Sequence, residues 1–102
     1  MQKIKILVVD DEQEMLVSYQ KILTKSGYSV TTASSAKEAL EMLDNNHNFL
    51  LIICDLKMPE MDGMEFLCNV KQKHSYLPVI MVTGYGTLDL GIEAVKRGAF
   101  DF

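Results

Sequence analysis

The chain has 102 residues, 48% of them hydrophobic, with 10 Lys and Arg against 14 Asp and Glu, a formal net charge of −4. That length suits one domain with a packed core and excludes a disordered chain. Mild acidity argues against direct binding of nucleic acid or an anionic membrane, both of which need clustered Lys and Arg, and no apolar run approaches the roughly 20 residues of a membrane span.

The first residues, Met1 to Lys5, run straight into a strand-like segment, so no signal peptide is expected and the location reads as cytoplasmic. Ile4 to Val9 is short, β-branched and nearly all apolar, the pattern of a buried strand. Met15, Leu16, Tyr19, Ile22 and Leu23 then recur at helical spacing, and Gly27 stops the helix. Tyr28 to Thr32 alternates like a strand. Ser34 or Ser35 can cap the next helix, whose inward stripe is Ala36, Ala39, Leu40 and Leu43. Asp44 to Asn48 is a polar turn and Phe49 to Cys54 a second buried strand. Asp55 to Asp62 is a loop, and Gly63 opens a helix with Phe66, Leu67 and Val70 inward. Pro78 precedes the strand Val79 to Val82, and Thr83 to Thr87 is a Gly-rich loop. Leu88, Ile92 and Val95 stripe a fourth helix that ends at Gly98, and Phe100 to Phe102 starts a further strand.

Strands alternating with helices imply βαβ units in an α/β, doubly wound parallel sheet. Cys54 and Cys68 form no CxxC pair and read as reduced, buried thiols. His47 and His74 lie in polar stretches and read as solvated, so no zinc-type cluster is expected.

In such folds ligands bind beyond the carboxyl ends of the strands. Those ends carry Asp10, Asp11 and Glu12 after the first strand, Asp55 after the third, and Thr83 and Gly84 after the fourth. Two ionised carboxylates at roughly 4 Å repel by about 4 kcal/mol at an effective dielectric of about 20. Either one acid stays protonated or a cation occupies the site. Hard oxygen ligands without Cys or His suit Mg²⁺. The competing interpretation makes these acids helix caps and turn formers: Asp11 could cap the first helix, and Asp62-Gly63 is an ordinary turn pair. Three acids at two neighbouring strand ends, with a threonine at another, favour a site. A P-loop motif is absent, and Asp10-Asp11-Glu12 stands where a dinucleotide fold needs its Gly-rich turn. No Ser/His/Asp or Cys/His arrangement is placed for acyl transfer.

These features resemble the receiver domain of two-component response regulators. The matching segments are LVVDDE (Leu7 to Glu12), DLKMPEMDG (Asp55 to Gly63), PVIMVTGYG (Pro78 to Gly86) and AVKRGAFDF (Ala94 to Phe102). The Gly84-Tyr85-Gly86 loop and the ending Ala94 to Phe102 are also similar to receivers of nitrogen-regulator-type transcriptional activators. The resemblance implies a flavodoxin-like sheet of strand order 2-1-3-4-5 within a domain spanning 1–102. It implies that Asp55 accepts a phosphoryl group from a sensor histidine kinase. It implies Mg²⁺ held by Asp11, Asp55 and the backbone carbonyl of Lys57, with Asp10 acting directly or through water. Thr83 would hydrogen-bond the phosphoryl group, and Phe102 matches an aromatic switch position, or else packs in the core. A receiver is a phosphoacceptor rather than a free-standing enzyme, and its output domain, here transcriptional by resemblance, lies elsewhere in the parent protein.

The family continues past the Phe102 motif with a lysine-proline pair and a fifth helix. The sequence as it stands therefore reads as C-terminally truncated, without the last helix and the phosphate-binding lysine. An uncovered apolar face of a few hundred Å² on the third and fourth strands, at about 25 cal/mol per Å², leads to an expectation of self-association by edge pairing or exchange of elements. A different class of function, an unphosphorylated interaction or dimerisation module, is disfavoured by the acidic triad. An aspartyl-phosphate phosphatase is disfavoured because Asp10-Asp11-Glu12 lacks the Asp-x-Asp order.

Overall fold

The computed structural model describes residues 4–45, 48–55 and 61–82. Within them run β1 (Lys5–Val9), α1 (Gln13–Lys25), β2 (Ser29–Ala33), α2 (Ala36–Asn45), β3 (Leu51–Asp55), α3 (Gly63–Lys73) and β4 (Val79–Val82). The strands form one sheet in the order β2-β1-β3-β4, with every pairing parallel. This is the expected doubly wound arrangement. The expected loop 83–87, the helix over 88–98 and the strand at 100–102 lie outside the described residues.

The alternation of β1 divides the core in two. Leu7 and Val9 join Ile52, Cys54, Val79 and Met81 under α2 and α3, which supply Ala36, Ala39, Leu43, Phe66, Leu67 and Val70. Ile6 and Val8 turn to the opposite face, where Leu16 of α1 is buried and Tyr19, Leu23, Leu51 and Ile53 pack around them. Helices on both faces explain why β1 is apolar from Ile6 to Val9.

Local chemistry sets the helix ends. Ser35 accepts a hydrogen bond from the Glu38 amide at 3.1 Å, and Glu38 reaches back to accept from the Ser34 hydroxyl at 2.9 Å. Asp62 caps α3 by accepting from the Glu65 amide at 2.9 Å. Gly27, at φ +98, closes α1: its amide donates to Thr24 O and the Tyr28 amide to Leu23 O, at 3.0 and 3.1 Å.

Several expectations need correction. Met15 and Ile22 do not join the buried stripe of α1; they are 38% and 65% exposed. The sheet-facing stripe is Leu16, Tyr19 and Leu23, and residues one position earlier are rotated about 100° off it. The third strand starts at Leu51 rather than Phe49 and takes in Asp55 as its last residue. Phe49 is still buried, with the Lys5 Nζ 5.1 Å from its ring centre. His74 is not solvated but 7% exposed. It ends α3, its amide donates to Val70 O, and its Nε2 lies 3.5 Å from Asp44 Oδ1 at the end of α2. The tight turn that carries Leu77 into the core carries His74 in as well. Cys54 is buried as expected, but Cys68 only partly, since it sits beside rather than on the Phe66-Leu67-Val70 stripe. His47 lies outside the described residues.

Candidate functional site

Parallel pairing brings the C-terminal ends of β1, β3 and β4 to one edge. Val9 is paired with Cys54, so Asp10 and Asp55 are the next residues on adjacent strands. The Asp10 amide donates to Ala33 O at 3.1 Å, which carries the β1 pairing one residue past the strand and holds Asp10 in register. Asp10 is 6% exposed, and its Oδ1 accepts from the Glu12 amide at 2.9 Å. That bond turns the chain sharply into α1 and leaves Asp11 at the rim, exposed. Asp11 does not cap α1; Glu12 occupies the N-cap position, without a side-chain cap bond. Across the sheet, Asp55 pairs with Val82 of β4.

The outcome is a cluster of one buried, one half-buried and one exposed carboxylate: Asp10, Asp55 and Asp11. An oxygen from each lies within 4.8 Å of the others. Burial raises the Asp10 carboxyl above its ordinary value, and the charges of Asp55 and Asp11 add to this, against the opposing Glu12 amide. Burial likewise raises Cys54, whose thiol donates to Asp55 O at 3.2 Å and feels the Asp55, Asp10 and Asp62 charges. Cys54 is therefore an inert thiol, not a nucleophile. At the cluster distance each ionised pair repels by about 3.5 kcal/mol at an effective dielectric of about 20, and by less at the wet rim. A group of hard oxygens held together against such repulsion fits a divalent cation.

A family model for the response regulator receiver domain matches residues 6–102. The chain belongs to that family. Among its relatives are two transcriptional regulators. Transcriptional regulatory protein ZraR of Escherichia coli K12 is 38% identical over 99 residues, which is 97% of this chain and 22% of that protein. DNA-binding transcriptional regulator NtrC of Klebsiella pneumoniae is 38% identical over 95 residues, 93% of this chain and 20% of that protein. The chain thus spans about a fifth of the length of these curated relatives. Among solved structures, the CheX-CheY-BeF3-Mg+2 complex from Borrelia burgdorferi superposes with a TM-score of 0.93 at 29% identity, over 97% of this chain and 75% of that one.

The receiver fold unites Asp10, Asp11 and Asp55, as the sequence indicates. Lys57, Thr83 and Phe102 lie outside the described residues. Tyr19, which the sequence marks only as part of an inward stripe, belongs to the electrical surroundings of the acids. Its phenol is raised by burial and then by the charges of Asp10 and Asp55. The available signal was a polar-tipped residue between Leu16 and Leu23, on the helix that directly follows the first acids. Among the described residues, no helix is long and apolar enough to cross a membrane.

Proposed function

We propose that this chain is the phosphoacceptor unit of a two-component response regulator, and that the convergence of Asp10, Asp11 and Asp55 is its chemical centre. Asp55 is the acceptor. A carboxylate nucleophile needs no general base. A carboxylate oxygen of Asp55 forms a bond to phosphorus as the phosphorus–nitrogen bond of a phosphohistidine breaks, and the electron pair leaves with the imidazole of the sensor kinase. Half-buried rather than sealed, Asp55 can meet a donor side chain. Asp10, Asp11 and Asp55 would hold Mg²⁺, with the Lys57 carbonyl as the further ligand that the family resemblance implies, and the ion would offset charge on the transferring phosphoryl oxygens. Asp10 serves from its buried position, fixed by the Glu12 amide. By the family resemblance Thr83 would hydrogen-bond the product phosphoryl group, and Phe102 stands at the aromatic switch position, or else packs in the core.

The chain is on this reading a kinase substrate with self-limiting phosphoryl chemistry, not a free-standing enzyme. It works in the cytoplasm on a parent protein whose output is transcriptional. The relatedness to ZraR and NtrC supports that output. The test is incubation with acetyl phosphate and Mg²⁺, followed by intact-mass measurement. The unmodified chain gains one phosphoryl group, the gain disappears with EDTA, and Asp55→Asn gains none. A folded chain that takes up neither acetyl phosphate nor beryllofluoride would instead be an interaction module that keeps the fold without the chemistry.

A further inference from the structure

We propose that the cavity between α2 and β2 binds a small aliphatic diamine, whose two ammonium heads meet Glu38 and Glu41 while its methylene stem lies over Met42 and Phe49. None of its lining residues belongs to the acid cluster of Asp10, Asp11 and Asp55, and the inference stands whether or not that cluster takes Mg²⁺.

The lining of the cavity carries the argument. Its volume is about 440 Å³, and it is bounded by Thr31 of β2, by Glu38, Glu41, Met42 and Asn45 of α2, and by Phe49 ahead of β3. That volume lies in the range of small-ligand sites. Phe49 is buried and Met42 half-buried, both packed with the α2-side core, so the floor is apolar. The polar groups above it are mostly acceptors. Glu38 Oε2 accepts from the Ser34 hydroxyl and amide, and its other oxygen accepts nothing among the described residues. The Glu41 carboxylate forms no ion pair or hydrogen bond among the described residues, not even with Lys37 one turn earlier. The Asn45 amide nitrogen already donates to the Glu41 carbonyl at 2.9 Å. Two carboxylates therefore outweigh the Thr31 hydroxyl and a partly committed carboxamide.

This lining selects its occupant by charge. An anion would meet two carboxylates and be repelled. A neutral apolar molecule would strip water from those carboxylates and return no hydrogen bond. A cation on an apolar stem satisfies both the rim and the floor. Glu38 and Glu41 stand at i and i+3 of one helix, with Cβ atoms about 5–6 Å apart, which calls for two heads on a short stem. Phe49 decides which part of the ligand faces inward. Its ring already carries the Lys5 ammonium, with Nζ 5.1 Å from the ring centre. A ligand head placed there would face a like charge, so the stem meets Phe49 and the heads stay at the glutamates.

The experiment is an NMR titration of the chain with putrescine, a four-carbon diamine, at fixed pH and ionic strength, with butylamine as the one-headed comparison. The Met42 methyl and Phe49 ring resonances should move saturably. Putrescine should bind about two- to fivefold more tightly than butylamine, the worth of one exposed ion pair. Glu41→Gln should weaken putrescine by about the same factor, and so should Glu38→Gln, which keeps an acceptor for Ser34. The two together should weaken it about tenfold. Met42→Lys, which brings an ammonium to the floor, should abolish the movement of Phe49; where that variant unfolds on heating earlier than the assay temperature, the double glutamine variant decides. Putrescine that leaves Met42 and Phe49 unmoved, or moves only residues around Asp10, Asp11 and Asp55, overturns the proposal. Equal binding of putrescine and butylamine overturns it, as does undiminished binding by the folded double variant. The titration repeated in Asp55→Asn separates this site from the acid cluster: the movements at Met42 and Phe49 should persist, and their loss overturns the proposal.

Discussion

Asp10→Asn should stabilise the metal-free receiver while removing its response to Mg²⁺. Asp10 faces two like charges, Asp11 and Asp55, with oxygens within 4.8 Å. At an effective dielectric of about 20 each pair is worth about 3.5 kcal/mol, and at the dielectric of water about 0.9 kcal/mol. Asp11 is exposed and Asp55 half-buried, so the lower part of that range applies, and the two pairs together come to about 2 kcal/mol. Asparagine keeps an Oδ1 to accept from the Glu12 amide, so the turn into α1 survives. For a domain of this size a gain of about 2 kcal/mol raises the Tm by roughly 8–16 °C.

The assay is thermal and urea unfolding in EDTA and again in MgCl₂. Wild type should gain about 1.4 kcal/mol when free Mg²⁺ is ten times its dissociation constant, and the variant much less. Acidity gives an independent check. Because the folded Asp10 carboxyl lies above its ordinary value of 3.8, its contribution to stability is full below that value and is lost as pH rises through the folded pKa. Metal-free wild type should therefore receive from this group a gain on going from neutral to weakly acid pH that Asp10→Asn does not show. A variant no more stable than wild type in EDTA would refute the repulsion argument.

Phe66 is fully buried between α3 and the sheet, so Phe66→Ala should cost about 3–5 kcal/mol in urea unfolding, and a loss under 1 kcal/mol would show that the core on that face closes the gap. Gly27→Ala meets no atom within 4 Å but must adopt φ +98; it should lose about 1 kcal/mol by backbone strain alone, read in the same assay, with no change in Mg²⁺ binding. A thiol reagent at neutral pH should modify Cys68 and leave Cys54 unlabelled until the chain unfolds, as peptide mass mapping would show, because Cys54 is buried with its thiol held protonated.

The kinds and order of the described elements are legible in the sequence because they follow from local periodicity. Runs such as Ile6 to Val9 and Ile52 to Cys54 are apolar on both sides only if both sides are covered, and helical stripes between them supply the covers. The acid site is legible for a related reason. Parallel strands all end at one edge, so Asp10, Asp11 and Asp55 must approach each other once the strand order is known. Chain geometry alone does not say which of them is buried. That follows from the Ala33 and Glu12 bonds, which fix Asp10 inside and turn Asp11 out. The burial of His74 and the exposure of Met15 and Ile22 likewise depend on how helices press on the sheet. A helical stripe states which residues share a side, but its rotation against the neighbouring layer is settled only when distant segments pack together.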